Sequence, residues 1–586
     1  MALDVTLKKG RLSKIFSENL HACYENVEKG SDYARLRLQQ WRNNPDIVIY
    51  TATVDRGAGG WIVYNTGTST MEEILATEKW RGKDIEPKMV DALIMRENLI
   101  AAEFLKSDDE KYRWMVEYGF RPVRTRSVGG LSLEQMELST AVLFRRLAGI
   151  KPYKPYLKKE RVAVEKIPEA QSEREIKEGL MNLIDKLGGL NKFVKKGRSV
   201  VIKPNLVSDH GMQDGVYKGG IVTDVRLVRA LIELLLPVAG KIIIAEGSSI
   251  NRSATGKMFA LYGYDRLVDI DPSKISLVDL NTDRLVEKRV PGGKRMSSRK
   301  IPLTFEEADV IINIPVLKMH FAAAVSLSVK SLQGAVPPLE KYMSHFFGLW
   351  QCLVNIHHLV RPDLIIIDGL TGQEDFGPVS GIPKKMDLLI GGTNPVAVDA
   401  VAMKIMGLDP AISPPVWMAH MQGLGPVEPE RITVVGPPIS EVASPFKMPE
   451  IDISGGKDIT VHPGNACPGC RGYLHFVLNK LRRADPLDPS RLLIDRPFDK
   501  KVHIYLGPDT EGKIDPGAKN IFMGICQQHN AGMGTPLLGC PPHAEVIMNG
   551  IFSLFPDVER PKYADETEEA KLEKMLKEVL EKTADS

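Results

Sequence analysis

A chain of 586 residues is longer than one hydrophobic core supports and predicts roughly three to four domains. Its composition, 43% hydrophobic and 26% charged, is that of a globular protein, and 77 basic against 74 acidic side chains leave a net charge of +3. That balance argues against a nucleic-acid partner. The lack of any run of about 20 apolar residues argues against a membrane span. A start reading Met1-Ala2-Leu3-Asp4 argues against a secretory leader, so the cytoplasm is the expected location.

Residues 1–150 read as a separate α/β unit. Strands are expected over 47–53, 61–66, 120–124 and 136–143, and helices over 85–106 and 110–118. The basic, proline-bearing stretch Lys151-Pro152-Tyr153-Lys154-Pro155 marks a boundary. From 160 to 445 strand and helix alternate. The runs 200–202, 242–244, 310–312, 364–367 and 388–390 are apolar without alternation, the pattern of strands buried on both faces of a parallel sheet covered by helices. Helices fall over 225–237 and from Asn394-Pro395 to Gly407, the latter with a capping asparagine and proline at the first helical position. Residues 455–560 form a smaller α/β region. A charged stretch over 565–586 still carries an apolar stripe (Leu572, Met575, Leu576, Val579, Leu580) that predicts a docked helix. The expected fold class is therefore multidomain α/β: an α/β unit, a largely parallel α/β sheet domain and a small α/β region. The basic runs at 195–198 and 288–300 read as solvated loops.

In open α/β sheets ligands bind beyond the carboxyl ends of the strands. Lys203, Asn205, Glu246, Lys318, His320 and Asp368 all follow apolar strand runs, so they are expected to converge on one crevice. There Lys203, Lys318, His320 and Asp368 suit proton transfer. Asn205, Glu246 and Lys330, the last near the Gln333-Gly334 turn, suit binding of a small anionic substrate. The competing reading pairs each residue locally, lysine with aspartate and histidine with a carbonyl. Across this region the chain closely resembles the family called domain of unknown function 362. The match is carried by Lys203-Pro204-Asn205-Leu206-Val207, Ala245-Glu246-Gly247-Ser248 and Asn313-Ile314-Pro315-Val316-Leu317-Lys318-Met319-His320. It continues through Lys330 with Gly334, Asp368-Gly369 and Asn394-Pro395-Val396-Ala397-Val398-Asp399-Ala400. The resemblance implies an iron–sulfur module alongside and supplies no reaction.

Four of the six cysteines lie in the third region as C-x2-C-x55-C-x13-C: Cys467, Cys470, Cys526 and Cys540. The two-residue spacer aims both first thiolates at one metal centre, with Gly469 allowing the turn. Four thiolates suit zinc or an iron–sulfur cluster, and four buried thiols without metal is the bland alternative. The segments 467–474, 524–534 and 538–550 resemble the proximal-cluster region of nickel–iron hydrogenase small subunits and the related cluster subunit of complex I, down to Gly539-Cys540-Pro541-Pro542 followed by Glu545. That resemblance implies a 4Fe–4S cluster on the four thiolates and an anaerobic setting. His529 and His543 flank ligands, and either hydrogen-bonds a cluster sulfur or satisfies the nearby backbone. Cys23 and Cys352 read as packing residues.

Residues 45–145 resemble the GNAT acyltransferase fold through Trp80-Arg81-Gly82-Lys83-Asp84-Ile85-Glu86 and the segment ending Tyr118-Gly119-Phe120-Arg121. In that family a glycine-rich turn cradles the CoA pyrophosphate at a helix N-terminus. Asp84 and Glu86 put negative charge where the family has small residues, so a degenerate domain used for packing or recognition is expected. Together these readings predict an iron–sulfur enzyme that acts on a small anionic substrate in anaerobic metabolism, with electrons from a ferredoxin-type donor. The alternatives are a non-catalytic cluster-bearing scaffold or maturation factor, and a CoA-dependent acyltransferase acting through the N-terminal unit.

Overall fold

The computed structural model describes residues 5–561 apart from 56, 84, 95, 98, 100, 139–154, 249–253, 291–295, 297 and 511–513. Asp84, the boundary stretch over 151–154 and the helix expected over 565–586 lie outside the described residues.

The N-terminal unit is a seven-stranded sheet in the order Val5–Gly10, Ile47–Val54, Gly57–Asn65, Thr70–Ala76, Ala101–Leu105, Leu131–Leu138, Phe120–Val128. Side chains alternate across it. Ile49, Trp61, Val63, Leu105 and Leu133 pack under the helices Lys14–Tyr24 and Gly30–Asn43. Tyr50, Ile62, Tyr64, Ile74 and Phe104 face the helices Ile85–Ile94 and Asp109–Tyr118. The single helix expected over 85–106 is a helix to Ile94 and then the strand Ala101–Leu105, buried at all five positions. A short apolar run buried on all sides carries no period that separates strand from helix.

The central sheet runs Ile275–Asp279, Lys241–Glu246, Ser199–Pro204, Val310–Ile314, Leu364–Glu374, Ile382–Gly392, Glu160–Lys166, Ile432–Val435, with Val316–His320 added beside Leu364–Glu374. Its pairings are parallel except around Ile382–Gly392, which is antiparallel to both neighbours, and between Val316–His320 and the short Ala324–Val325. The run at 388–390, expected as one more parallel strand, is thus the reversed one. Leu364 and Ile366 pack on the layer holding the helices Glu173–Lys186 and Val225–Leu235. Ile365 and Ile367 pack on the layer holding Pro395–Ile405. This double coverage explains the unbroken apolar runs. Asn394 caps the last of these helices by accepting from Val396 N and Ala397 N.

The third unit is a four-stranded parallel sheet, Ile459–His462, Val502–Leu506, Lys519–Met523, Thr535–Leu537, packed against the helices Pro468–Leu478 and Ala544–Phe552. No helix among the described residues is long and apolar enough to cross a membrane.

Candidate functional site

A cavity of about 260 Å³ opens at the carboxyl ends of the central strands. Lys203 and Asn205 follow the strand Ser199–Pro204, Glu246 and Ser248 follow Lys241–Glu246, and Lys318 extends from Val316–His320. Lys330 comes from the short helix Ser328–Ser331, Gln333 and Gly334 from the turn after it, and Lys341 and His345 from the helix Pro338–Phe347. The opposite wall is Tyr473, on the helix that begins at the first cysteine pair.

Four amines therefore share one cavity with one carboxylate. Lys203 lies 2.9 Å from Glu246 and also donates to the Pro204 carbonyl and Ser331 Oγ. Glu246 in turn accepts from Leu206 N and Gly247 N. A Cβ on Gly334 would collide with the Glu246 carboxylate and lie 2.9 Å from Lys203 Nζ, so only glycine lets the turn close over this pair. Lys318 donates to the Ile221 carbonyl (2.7 Å) and to Asn205 Oδ1 (3.2 Å), both neutral. Lys341 donates to the Gly247 carbonyl and to Asn281 Oδ1. Burial pushes the Lys341 ammonium down to about 7 and Lys330 down to about 8, and holds Lys318 well below the ordinary lysine value; the charge of Lys203 adds to the shift of Lys330.

Five of the seven central residues expected from the sequence line this cavity: Lys203, Asn205, Glu246, Lys318 and Lys330. His320 and Asp368 do not. His320 turns its Nδ1 to the N–H groups of Ala322 and Ala323 (3.1 and 3.2 Å) and stacks on Phe321, a buried histidine serving its own turn. Asp368 accepts from Asp224 N (2.7 Å) and Leu370 N (3.1 Å), bracing the start of the helix Val225–Leu235. Burial, with the charge of Asp224 behind it, pushes Asp368 up to about 7. Lys341, His345, Ser248 and Tyr473 were not expected from the sequence. Ser248 sits in the matched Ala245–Ser248 motif and could have been found there, whereas the helix residues show no distinguishing spacing.

The four cysteines are delivered by the same topological rule. Cys467 and Cys470 follow the strand Ile459–His462, Cys526 follows Lys519–Met523 through Gly524, and Cys540 follows Thr535–Leu537 through Gly539. All are buried, at 7, 3, 3 and 2% exposure, and none is in a disulfide. The Cys467 thiol is lowered chiefly by its hydrogen bond with Cys470, then by nearby backbone N–H groups, against burial. Cys470 is raised by that same bond, by burial and by the charges of Cys467, Cys526 and Cys540, so all four sulfurs act on one place. No three His, Cys, Asp or Glu side chains among the described residues stand where they could hold a single ion. One tetrahedral zinc would need sulfurs about 3.8 Å apart, whereas a cluster spreads four thiolates over its irons. Four buried free thiols are the ligand chemistry that either group would need. Gly469 lets the turn between the first two cysteines pack against Trp350 and Pro541, since a Cβ there would come 2.9 Å from the one and 3.0 Å from the other. His543 accepts from Glu545 N and caps the helix Ala544–Phe552, and His529 hydrogen-bonds the Cys526 backbone.

The cavity and the cysteines are joined through few atoms. The His345 carbonyl accepts from Cys540 N, its Nδ1 donates to the Pro541 carbonyl (2.9 Å), and the Cys540 carbonyl accepts from Leu349 N (2.8 Å). Burial pushes His345 down to about 4, so it is neutral near pH 7. The helix Pro468–Leu478 meets the central unit at Phe321, which stacks on Phe476 and meets Tyr473 edge-on, while Gly472 lets the Phe321 carbonyl approach.

In the N-terminal unit, Thr70–Ala76 and Ala101–Leu105 pair only at Thr70–Ala101 and Met71–Ala102. Beyond those pairs the Glu73 carboxylate accepts from Ile74 N, Tyr24, Tyr33 and Lys111, the last from the helix after the second strand. Glu86, in the expected pyrophosphate turn, is raised by burial.

Solved structures similar to the chain include an acetyltransferase from Thermus thermophilus, 14% identical over 22% of this chain and 96% of that one, with a TM-score of 0.18. A GNAT family acetyltransferase from Elizabethkingia anophelis with acetyl-CoA bound is 15% identical over 23% of this chain and 98% of that one, also at 0.18. A thylakoid-associated protein, sll1697, of Synechocystis sp. (strain ATCC 27184 / PCC 6803 / Kazusa) is 30% identical over 286 residues, 46% of this chain and 83% of that protein. The family model described as domain of unknown function (DUF362) matches residues 200–404, the stretch that supplies every central side chain of the cavity, and the chain belongs to that family.

Proposed function

We propose that the protein is an iron–sulfur enzyme in which Cys467, Cys470, Cys526 and Cys540 hold one 4Fe–4S cluster, and the lysine-lined cavity holds a small anionic substrate beside it. The observation that carries the reading is the shared wall: Tyr473 lines the cavity three residues after Cys470 on one helix, and His345 lines it while bonding the backbone at Cys540 and Pro541. A bound cluster supplies or withdraws single electrons. The chain's own residues do the rest. Lys318 and Lys330 attract and orient the anion, and the Lys203–Glu246 pair fixes the floor of the cavity. An amine held down to about 7 or 8 exchanges its proton near neutrality, the property a general acid or base needs. A ferredoxin-type protein is the proposed electron donor, because one cluster passes electrons singly and needs an outside source.

Anaerobic purification tests this directly. We expect about four irons and four sulfides per chain, a reduced-state EPR signal with dithionite, and loss of both in Cys540→Ala. One zinc per chain without sulfide would overturn the redox reading and leave a structural metal site on the same thiolates.

A further inference from the structure

The cavity's charges and hydrogen bonds say more about its ligand than that it is an anion. Of the four amines, Lys203 is neutralised by Glu246, and Lys341 is engaged by the Gly247 carbonyl and Asn281. Lys318 has only neutral oxygens as hydrogen-bond partners, and the Lys330 ammonium makes no hydrogen bond among the described residues. Lys318 and Lys330 line the same cavity, and the charge of Lys330 is the one that acts most strongly on Lys318. Glu246 is the one carboxylate acting on Lys318 and it is already paired with Lys203, so a buried and a half-buried ammonium are left short of negative charge, which opposes folding and persists where a ligand brings what is missing. Two further polar atoms at the cavity are buried and unpartnered: Ser248 Oγ, in a residue 1% exposed, and Gln333 Oε1. An amide oxygen only accepts. At about 260 Å³ the space lies below the roughly 300–1,000 Å³ of sites for drug-sized ligands.

We propose that this cavity binds a compact dianion bearing a hydroxyl group, its two negative charges set against Lys318 and Lys330 and its hydroxyl donating to Gln333, with Ser248 as a further donor to the anion. This rests on the reading of the cavity as the substrate site and not on the cluster. Phosphate monoesters and dicarboxylates share that chemistry, and calorimetric titration of the full chain separates them. Glycerol 3-phosphate and malate serve as hydroxylated dianions, succinate as a dianion without hydroxyl, and lactate as a hydroxylated monoanion.

We expect either glycerol 3-phosphate or malate to bind more than about tenfold tighter than lactate, the second charge meeting a second ammonium in a partly buried site. If the dicarboxylate is the one taken, malate should also exceed succinate. Lys330→Met and Lys330→Gln, each checked for an unfolding midpoint no lower than that of wild type, should remove the preference over lactate, and Lys330→Arg should retain it. Neither dianion exceeding lactate would overturn the proposal, as would a preference untouched in both neutral variants. The same titration on Cys540→Ala protein keeps the two readings apart: dianion binding without a cluster upholds this proposal even where the redox reading has failed.

Discussion

Lys330 shows how burial sets the chemistry of a single side chain. Burial first, and the charge of Lys203 second, push its ammonium down to about 8. Between about pH 8 and the ordinary lysine value near 10.4, the unfolded chain holds a proton that the folded one has lost, so stability rises with pH across that window. Its full penalty stands below about pH 8. Binding runs the other way. An anion favours the protonated amine, so affinity for a dianion should fall as pH rises through about 8, with the proton of Lys330 taken up on binding. The charged and titratable groups of this cavity are Lys203, Glu246, Lys318, Lys341, His345 and Tyr473, and none supplies a second carboxylate. Calorimetry in buffers of different ionisation enthalpy checks this, and Lys330→Arg, permanently charged, should flatten the profile. A wild-type affinity that did not change with pH would show that Lys330 keeps its proton throughout. The strand-end lysines were legible in the sequence because a polar residue ending a doubly buried strand has only the crevice to face. His320 and Asp368 gave the same signal and belong to the backbone instead, since a ring nitrogen or carboxylate beside a turn is captured by the nearest free N–H.

At the scale of the element, the short helix Ser328–Ser331 positions Lys330 although four residues cannot hold a helix by themselves. Asp399, buried on the helix Pro395–Ile405, accepts from Ser328 N (2.8 Å), Ser328 Oγ and Val329 N (2.9 Å), and so fixes its first turn. Removing that acceptor leaves buried donors unpaired. Asp399→Ala should cost about 3 kcal/mol, read as a lower urea midpoint, and should weaken dianion binding in the protein that remains folded. A variant as stable as wild type would mean that Lys330 is held by its own segment. The spacing of Asn394 and Asp399 made the host helix plain in the sequence. That Asp399 serves a helix some 70 residues earlier was not, because a hydrogen bond across such a separation leaves no periodic trace. The same limit hid Lys341 and His345: their helix is buried on most sides, so no polar face distinguishes the residues that meet the cavity.

At the scale of the whole molecule, the three main sheets are brought together by contacts that include two on the third unit. Phe321 and Gly472 join the central unit to the cysteine-bearing helix, and Arg121 of the N-terminal unit donates to the Pro508 carbonyl (2.6 and 2.9 Å), near the Cys526 loop. The N-terminal unit is thus placed to pack on the third unit. Its own divergent strand pair is tied by Glu73 and Lys111, a buried pair that a ligand between the strands would have to break. Acetyl-CoA titrated to millimolar concentration should therefore give no binding heat, and saturable binding would restore acyl transfer as an activity of this unit.

By itself the sequence determined the three-unit α/β plan, the parallel character of the central sheet, five of the cavity's side chains and the grouping of four cysteines. These are local quantities: apolar runs of strand length, residues at strand ends, and thiols at short or punctuated spacing. Only the tertiary structure decided that Ile382–Gly392 runs backwards, that His320 and Asp368 turn away, and that the helix holding Cys467 and Cys470 walls the lysine cavity. Those outcomes depend on which distant surfaces meet, and packing free energy between elements hundreds of residues apart is not written in any one segment's pattern.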